Sequence, residues 1–312
     1  MKLMNFKPDL KSLFKSPQSQ FMISVGWKVM ASSLIIHLFV TYSLIQQLRF
    51  NFLFFKTQSN ISVLELETFF GFVASEALDM LLPIFIFHII LFLTGCYIGR
   101  ILLRPFATIA QYSEKAIDNM NAIYHPEAYS NYNLLTRFSE FFFVYLRECR
   151  IKKHLVSQSI PPQFSKIHKP SRDIVYFIHF SFLLVIVGVI TLISASVVID
   201  TLLANVIELA IRQLPNAQNY KMFFLGQAEI FNDIFILIAL LIVFFYGGLA
   251  IHLYDKMSGA AFGIFSTMRA YMKGNHSSRV HLLGFSYVRE YTRKLNSFLN
   301  HIERELEKDK EE

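Results

Sequence analysis

Three histidines, His37, His88 and His252, stand in or beside long apolar stretches. An imidazole in such surroundings has three uses: carrying a proton, ligating a metal, or hydrogen-bonding between helices. No carboxylate lies three or four residues from His37 or His88, so neither has a local partner to orient its ring. Interhelical hydrogen bonding is therefore the expected use. Asp79, Asp200 and Asp233 sit at the ends of apolar runs and read as solvated acids rather than an ion site. The two cysteines, Cys96 and Cys149, are far apart, form no metal-binding spacing, and lie where a disulfide is not expected. The chain has no phosphate loop, nucleophile elbow, HExxH, CxxC or dinucleotide fingerprint. These residues predict no catalytic site, no cofactor and no metal, hence a protein that is not an enzyme.

The elements carrying these side chains are apolar helices. Hydrophobic residues make up 54% of the chain and Phe alone supplies 33 of 312 residues, too apolar for an ordinary soluble domain. A bilayer core needs about 20 apolar residues per helix. Four segments qualify: Met22–Ile45, Met80–Gly99, Ile174–Ile199 and Ile234–Tyr254. Small residues Gly188, Ser194, Ser196, Gly247 and Gly248 are expected to let these helices approach closely. The first segment is too long for a signal-peptide core and reads as a retained span. Of the 30 Lys and Arg residues, 26 fall in the N-terminal segment, the segment 100–172 and the C-terminal tail. That asymmetry places both termini in the cytoplasm, in a multi-pass protein of the bacterial inner membrane. It also accounts for the net charge of +7 without a nucleic-acid partner. The two outer loops, Gln46–Asp79 and Asp200–Asp233, are too short to fold as ligand-binding domains.

The chain also matches itself at an offset of 153 residues, without a gap. Pro17 falls on Pro170, Ser43 on Ser196, Phe92 on Phe245, Gly95 on Gly248 and Leu146 on Leu299. An internal repeat in an apolar chain is a common membrane-protein build. The predicted organisation is a cytoplasmic segment 1–21, a transmembrane hairpin 22–99, a cytoplasmic unit 100–150, a connector 151–173, a second hairpin 174–254 and a second cytoplasmic unit 255–312.

Each cytoplasmic unit reads as two amphipathic helices joined by a polar connector. In the second helices the apolar positions run Leu135, Phe138, Phe142, Tyr145 and Cys149, then Val288, Tyr291, Leu295, Phe298 and Ile302. Alternating steps of three and four make a seam of the coiled-coil kind. Asn121 and Gly274 stand at the ends of the first helices, where a left-handed residue stops a helix. This layout resembles the HAMP linker of bacterial membrane signalling proteins. Arg104-Pro105 looks like the Pro that opens the family's first helix. Gly274-Asn275, Val280, Leu282 and Leu295-Asn296 look like its Gly, its connector hydrophobics and its late Phe-Asn pair. Ser258 replaces the Pro in the second copy, Leu134 and Tyr287 stand where an acidic residue is usual, and Phe143 stands where the first copy should carry Asn. The resemblance implies a parallel four-helix bundle that passes small helix movements between membrane and cytoplasm.

The resulting fold class is an all-α membrane protein with four transmembrane helices, two cytoplasmic HAMP-like helical hairpins and an internal tandem repeat of 153 residues. The expected function is signal relay or regulation without a catalytic output domain, through a membrane or cytoplasmic protein partner. The chain would act as a monomer with pseudo-two-fold symmetry or as a homodimer. The alternatives are an accessory subunit of a motor, secretion or transport complex, and a small transporter or channel. The charge asymmetry predicts that Asn60→Cys and Gln218→Cys react with an impermeant thiol reagent added to intact cells, whereas Lys153→Cys does not. Labelling of Lys153→Cys from outside would overturn the orientation.

Overall fold

The computed structural model describes residues 16–59, 63–119, 122–125, 132–170, 173–213 and 228–311. Among these residues every regular element is a helix. In chain order they are α1 (Pro17–Ser59), α2 (Val63–Asp79), α3 (Leu81–Asp118), α4 (Asn133–Lys152), α5 (Pro162–Ser165), α6 (Ile174–Gln213) and α7 (Ala228–Met272). A 3-10 turn (Ser286–Val288) then leads into α8 (Arg289–Glu311). Among the described residues four helices are long and apolar enough to cross a membrane, and they lie within Pro17–Phe50, Gly71–Asp118, Ile174–Asn205 and Asp233–Met272.

The long helices overrun the boundaries that the sequence suggested. Helix α1 continues past Ile45 to Ser59, and α6 passes through Asp200 to Gln213. Neither extension contains Gly or Pro, so nothing in it competes with the helix already nucleated upstream. Helix α3 likewise runs through Pro105 rather than opening there. The missing N–H costs one backbone bond. The turns on either side are held by burial of Leu102, Leu103, Phe106 and Ile109.

The chain divides into two compact units, one formed by residues 1–25, 96–181 and 251–312, the other by 26–95 and 182–250. The second unit inverts the pattern of a water-soluble domain. Leu38, Phe85, Ile90, Leu93, Phe182, Val185, Val243 and Phe244 are exposed, while Ser33, His37, His88 and Thr191 are buried. An apolar exterior around a partly polar interior suits a lipid solvent. Of the small residues there, Gly188 meets Ile242 and Tyr246 closely, whereas Gly247 and Gly248 have no neighbour at the position of an added Cβ.

The first unit is built on aromatic packing. Phe106, Phe138, Phe142, Phe143, Phe265 and Tyr271 are among its fully buried side chains. The described part of the connector, residues 151–170, is no free tether. Phe164 of α5 is buried, its ring 5.1 Å from that of Phe138. The Gln158 amide donates to the Met272 carbonyl at 2.9 Å, and the Arg269 guanidinium donates to the Ile167 carbonyl at 2.5 Å.

Two helices in this unit end in the same way. At the end of α7, Gly274 has φ +99°, its N–H reaches Tyr271 O, and the Asn275 N–H reaches Ala270 O. This is the paired bonding of a Schellman cap. At the end of α4, Lys153 takes φ 57°, with Lys153 N–H to Arg150 O and His154 N–H to Cys149 O. Asn121 lies outside the described residues. A side chain at Gly274 must bear the left-handed penalty of about 1–2 kcal/mol. Gly274→Ala is expected to lower the stability of the purified chain by about that amount, read as a shift in its urea unfolding midpoint. An unchanged midpoint would count against this account of the cap.

Candidate functional site

The first unit contains four helical segments packed side by side: the C-terminal parts of α3 and α7, with α4 and α8. Contacts between them fix direction as well as neighbourhood. From α4 to α7, Phe138 meets Phe265 at 4.6 Å between ring centroids and Phe142 meets Tyr271 at 6.0 Å. Between these, the Ser139 hydroxyl donates to Met268 Sδ. From α4 to α8, Phe143 meets Phe298 at 6.2 Å and Arg150 pairs with Glu305 at 2.9 Å. From α3 to α4, Tyr112 meets Phe143 at 4.2 Å, and Arg150 donates to the Ala116 carbonyl. In each of these three pairs the residue numbers rise together, so α4 runs parallel to α3, α7 and α8. Arg150 joins three of them, through a backbone carbonyl of α3 and a carboxylate of α8.

Most of the predicted seam lies inside this bundle. Leu135, Phe138, Phe142, Tyr145 and Cys149 are buried, as are Val288, Leu295, Phe298 and Ile302. Tyr291 differs. It is half-buried, beside Glu290 and Arg100, while Phe138 packs on Phe265 and Phe164. The α4 residue that faces α8 is Phe143, which the three-four pattern skipped because it stands one position away from Phe142. Burial pushes the hydroxyls of Tyr124, Tyr132 and Tyr145 far above the ordinary tyrosine range, so these phenols stay neutral.

The connector between α7 and α8 is fixed at both edges. The Asn296 side chain accepts from the Val280 N–H at 2.8 Å and donates to the Val280 carbonyl at 3.0 Å, closing a two-point clamp on one residue. Arg279 pairs with Glu303 and donates to Asn300 Oδ1 at 2.6 Å. On the α7 side, an added Cβ at Gly263 would overlap Leu282, and one at Gly259 would stand 2.9 Å from Phe285. The connector therefore rests in a notch made by two glycines four residues apart. At the top of the connector, the Tyr287 hydroxyl donates to the Lys256 carbonyl at 3.0 Å, and its ring stacks on Phe21 at 4.5 Å. Sequence reasoning noted Val280, Leu282 and Asn296 but missed the glycine notch. Its signal, small residues at i and i+4 on one helix face, was available.

The second unit holds a separate buried polar group. His37 Nδ1 lies 3.0 Å from Ser33 O and its Nε2 lies 3.1 Å from Ser194 Oγ. A carbonyl only accepts, so in the neutral ring Nδ1 carries the proton and Nε2 accepts from the Ser194 hydroxyl. Thr191 Oγ1 is 3.1 Å from the Tyr246 hydroxyl and 3.4 Å from Ser33 Oγ. His88 stands 5.0 Å from His37 between ring centroids, with its Nδ1 on the Ile84 carbonyl at 2.6 Å. These contacts join α1, α3, α6 and α7. Cys96 and Cys149 are free thiols, and no group of three or more metal-ligating side chains occurs among the described residues. Asp79, Asp200 and Asp233 are exposed.

No protein-family model, curated protein or solved structure matches this chain.

The packing separates strong seam positions from weak ones. Phe142→Ala is expected to cost about 3–5 kcal/mol, because a fully buried aromatic leaves a cavity. Tyr291→Ala should cost less than half as much. Urea unfolding of the two purified variants checks the order. Equal losses would mean that the α4–α8 register described here is wrong.

Proposed function

We propose that this protein is a bacterial inner-membrane relay that carries helix movements between a four-span membrane bundle and a HAMP-like cytoplasmic bundle, and acts on a partner protein. The observation that carries this reading is the parallel packing of α4 against α8. Phe143 meets Phe298 and Arg150 pairs with Glu305, so the two helices lie side by side in one direction. Parallel contact of that kind is what two HAMP-like hairpins sharing one bundle would give.

Burial along the chain supports the underlying repeat, with a refined register. In α3 and α7, buried positions recur at 155: Leu91 with Tyr246, Ile98 with Leu253, Leu102 with Met257, Ile109 with Ile264 and Ala116 with Tyr271. In α1 and α6 the same offset relates Phe21 to Tyr176, Val25 to Phe180, Val29 to Leu184 and Val40 to Ala195. In α4 and α8 the offset is 153: Leu135 with Val288, Phe142 with Leu295, Leu146 with Leu299 and Cys149 with Ile302. The two copies thus differ by two residues between the first and second cytoplasmic helices. On this reading the offset of 153 fits burial in the second helices, and 155 fits burial in the spans.

Helices α3 and α7 each run without a break from an apolar span into the parallel bundle. A closely packed helix moves as a body, so a shift or rotation of the span changes which side chains meet at the seam. The connector of the second half would hold α8 to α7 during such a shift through the Val280–Asn296 clamp and the glycine notch.

The test locks the bundle. In a background of Cys96→Ser and Cys149→Ser, Phe143→Cys with Phe298→Cys is expected to form a disulfide within one polypeptide, and the product should run as a monomer. Full-length protein isolated from its native membrane with reversible crosslinking should retain a partner in the reduced state and lose or exchange it in the locked state. A partner held equally in both states would identify a static accessory subunit and defeat the relay. Disulfides found only between chains would defeat the single-chain bundle.

A further inference from the structure

The α7–α8 connector lies along one row of α8. Arg289, Arg293, Asn296, Asn300 and Glu303 repeat at steps of four and three, the spacing of a single helix face. Toward its C-terminal end the row is satisfied within the chain. Arg279 of the connector pairs with Glu303 and donates to Asn300 Oδ1, and Asn296 clamps Val280. Toward its N-terminal end the row is not. Arg289 and Arg293 are exposed, and neither has an ion-pair partner among the described residues. Glu290, next to Arg289, is already bonded to the Gln18 amide. The two arginines line a groove of about 350 Å³ between the connector and α8.

An apolar side chain stands beside these cations. Leu283 lines the same groove and is 93% exposed. Its neighbours Leu282 and Phe285 lie against Gly263 and Gly259 of α7, so the loop that holds them turns Leu283 outward. A small free anion would use the arginines and leave the leucine in water. A protein surface uses both: carboxylates meet the guanidinium groups, and the leucine enters a pocket on the partner. Arg289 and Arg293 are about 6 Å apart along the helix axis. Carboxylates four residues apart in a helix, or two apart in a strand, stand at about that spacing. A groove of this size holds a few side chains, which suits a short segment bound transiently.

We propose that the connector around Leu283 and the first two turns of α8 dock an acidic segment of a partner protein, with paired carboxylates on Arg289 and Arg293 and an apolar pocket over Leu283. The docking face rests on the reading that this chain acts on a partner protein, but not on movement of the bundle. It completes with outside acids a row that the chain completes for Arg279 with its own Glu303.

The test uses the full chain in its native membrane. The photoreactive residue p-benzoylphenylalanine replaces Leu283, and irradiation should join that position to a protein segment whose two carboxylates have the spacing given above. Arg289→Glu/Arg293→Glu should lower the yield about tenfold, and changing the partner's two acids to Lys should restore it. Restoration by charge reversal is a result that a merely structural loss would not give. Each single Arg→Gln change should lower the yield about threefold, the worth of one exposed ion pair. A product that is lipid, a second copy of this chain or a segment without paired acids would overturn the proposal. So would a yield indifferent to the double variant, or a loss that charge reversal in the partner does not restore. No protein product at position 283, while reversible crosslinking of the whole chain still retains a partner, would overturn this docking face and leave the partner reading intact. No partner by either route would overturn both.

Discussion

A peptide group in hydrocarbon has no water to bond, so a chain crossing an apolar phase must satisfy its own backbone. Much of this molecule follows from that constraint. It keeps the helices unbroken across their apolar stretches, and once a helix is formed there is little to end it where the apolar residues stop. Helices α1, α3, α6 and α7 accordingly run on past their apolar stretches. Departures from regular bonding are confined to places with compensation. Pro105 lies where flanking turns are buried by Leu102, Phe106 and Ile109. The histidines bond backward to their own helices before reaching any neighbour.

The same constraint explains which features were legible in the sequence. Helical character and the four spans were readable because a run of about 20 apolar residues has few other uses. The seam was readable as well, since Leu135, Phe138, Phe142 and Tyr145 repeat at the spacing that puts side chains on one face. The ends of the long helices were not. Stretches such as 46–59 and 200–213 are polar enough to read as loops, yet contain nothing that breaks a helix. Tertiary neighbours were out of reach too. Phe143 gains its partners from Phe298 and Tyr112, which lie on two other helices, and no local period records that.

Coincident letters and coincident burial favour different offsets within this chain. Identities such as Phe92 with Phe245 and Gly95 with Gly248 favour an offset of 153 throughout. Burial favours 155 in the spans and 153 in α4 and α8. Two residues are about 200° of helix, enough to exchange the inner face for the outer one. At low identity a few coincident letters cannot outweigh such a rotation, whereas the inward face is fixed by every neighbour at once. The buried polar group in α1, α3, α6 and α7 has no such internal match. His37 and His88 have no histidine at either offset.

Arg150 has a further consequence. Its buried guanidinium bonds the Ala116 carbonyl of α3 and the Glu305 carboxylate of α8 while standing on α4. A buried charge that loses its partner costs far more than the pair contributes. Separation of α8 from α4 would strand that charge, so the contact penalises partial opening more than it rewards closure. Because both partners belong to one polypeptide, it closes with the same strength at any protein concentration.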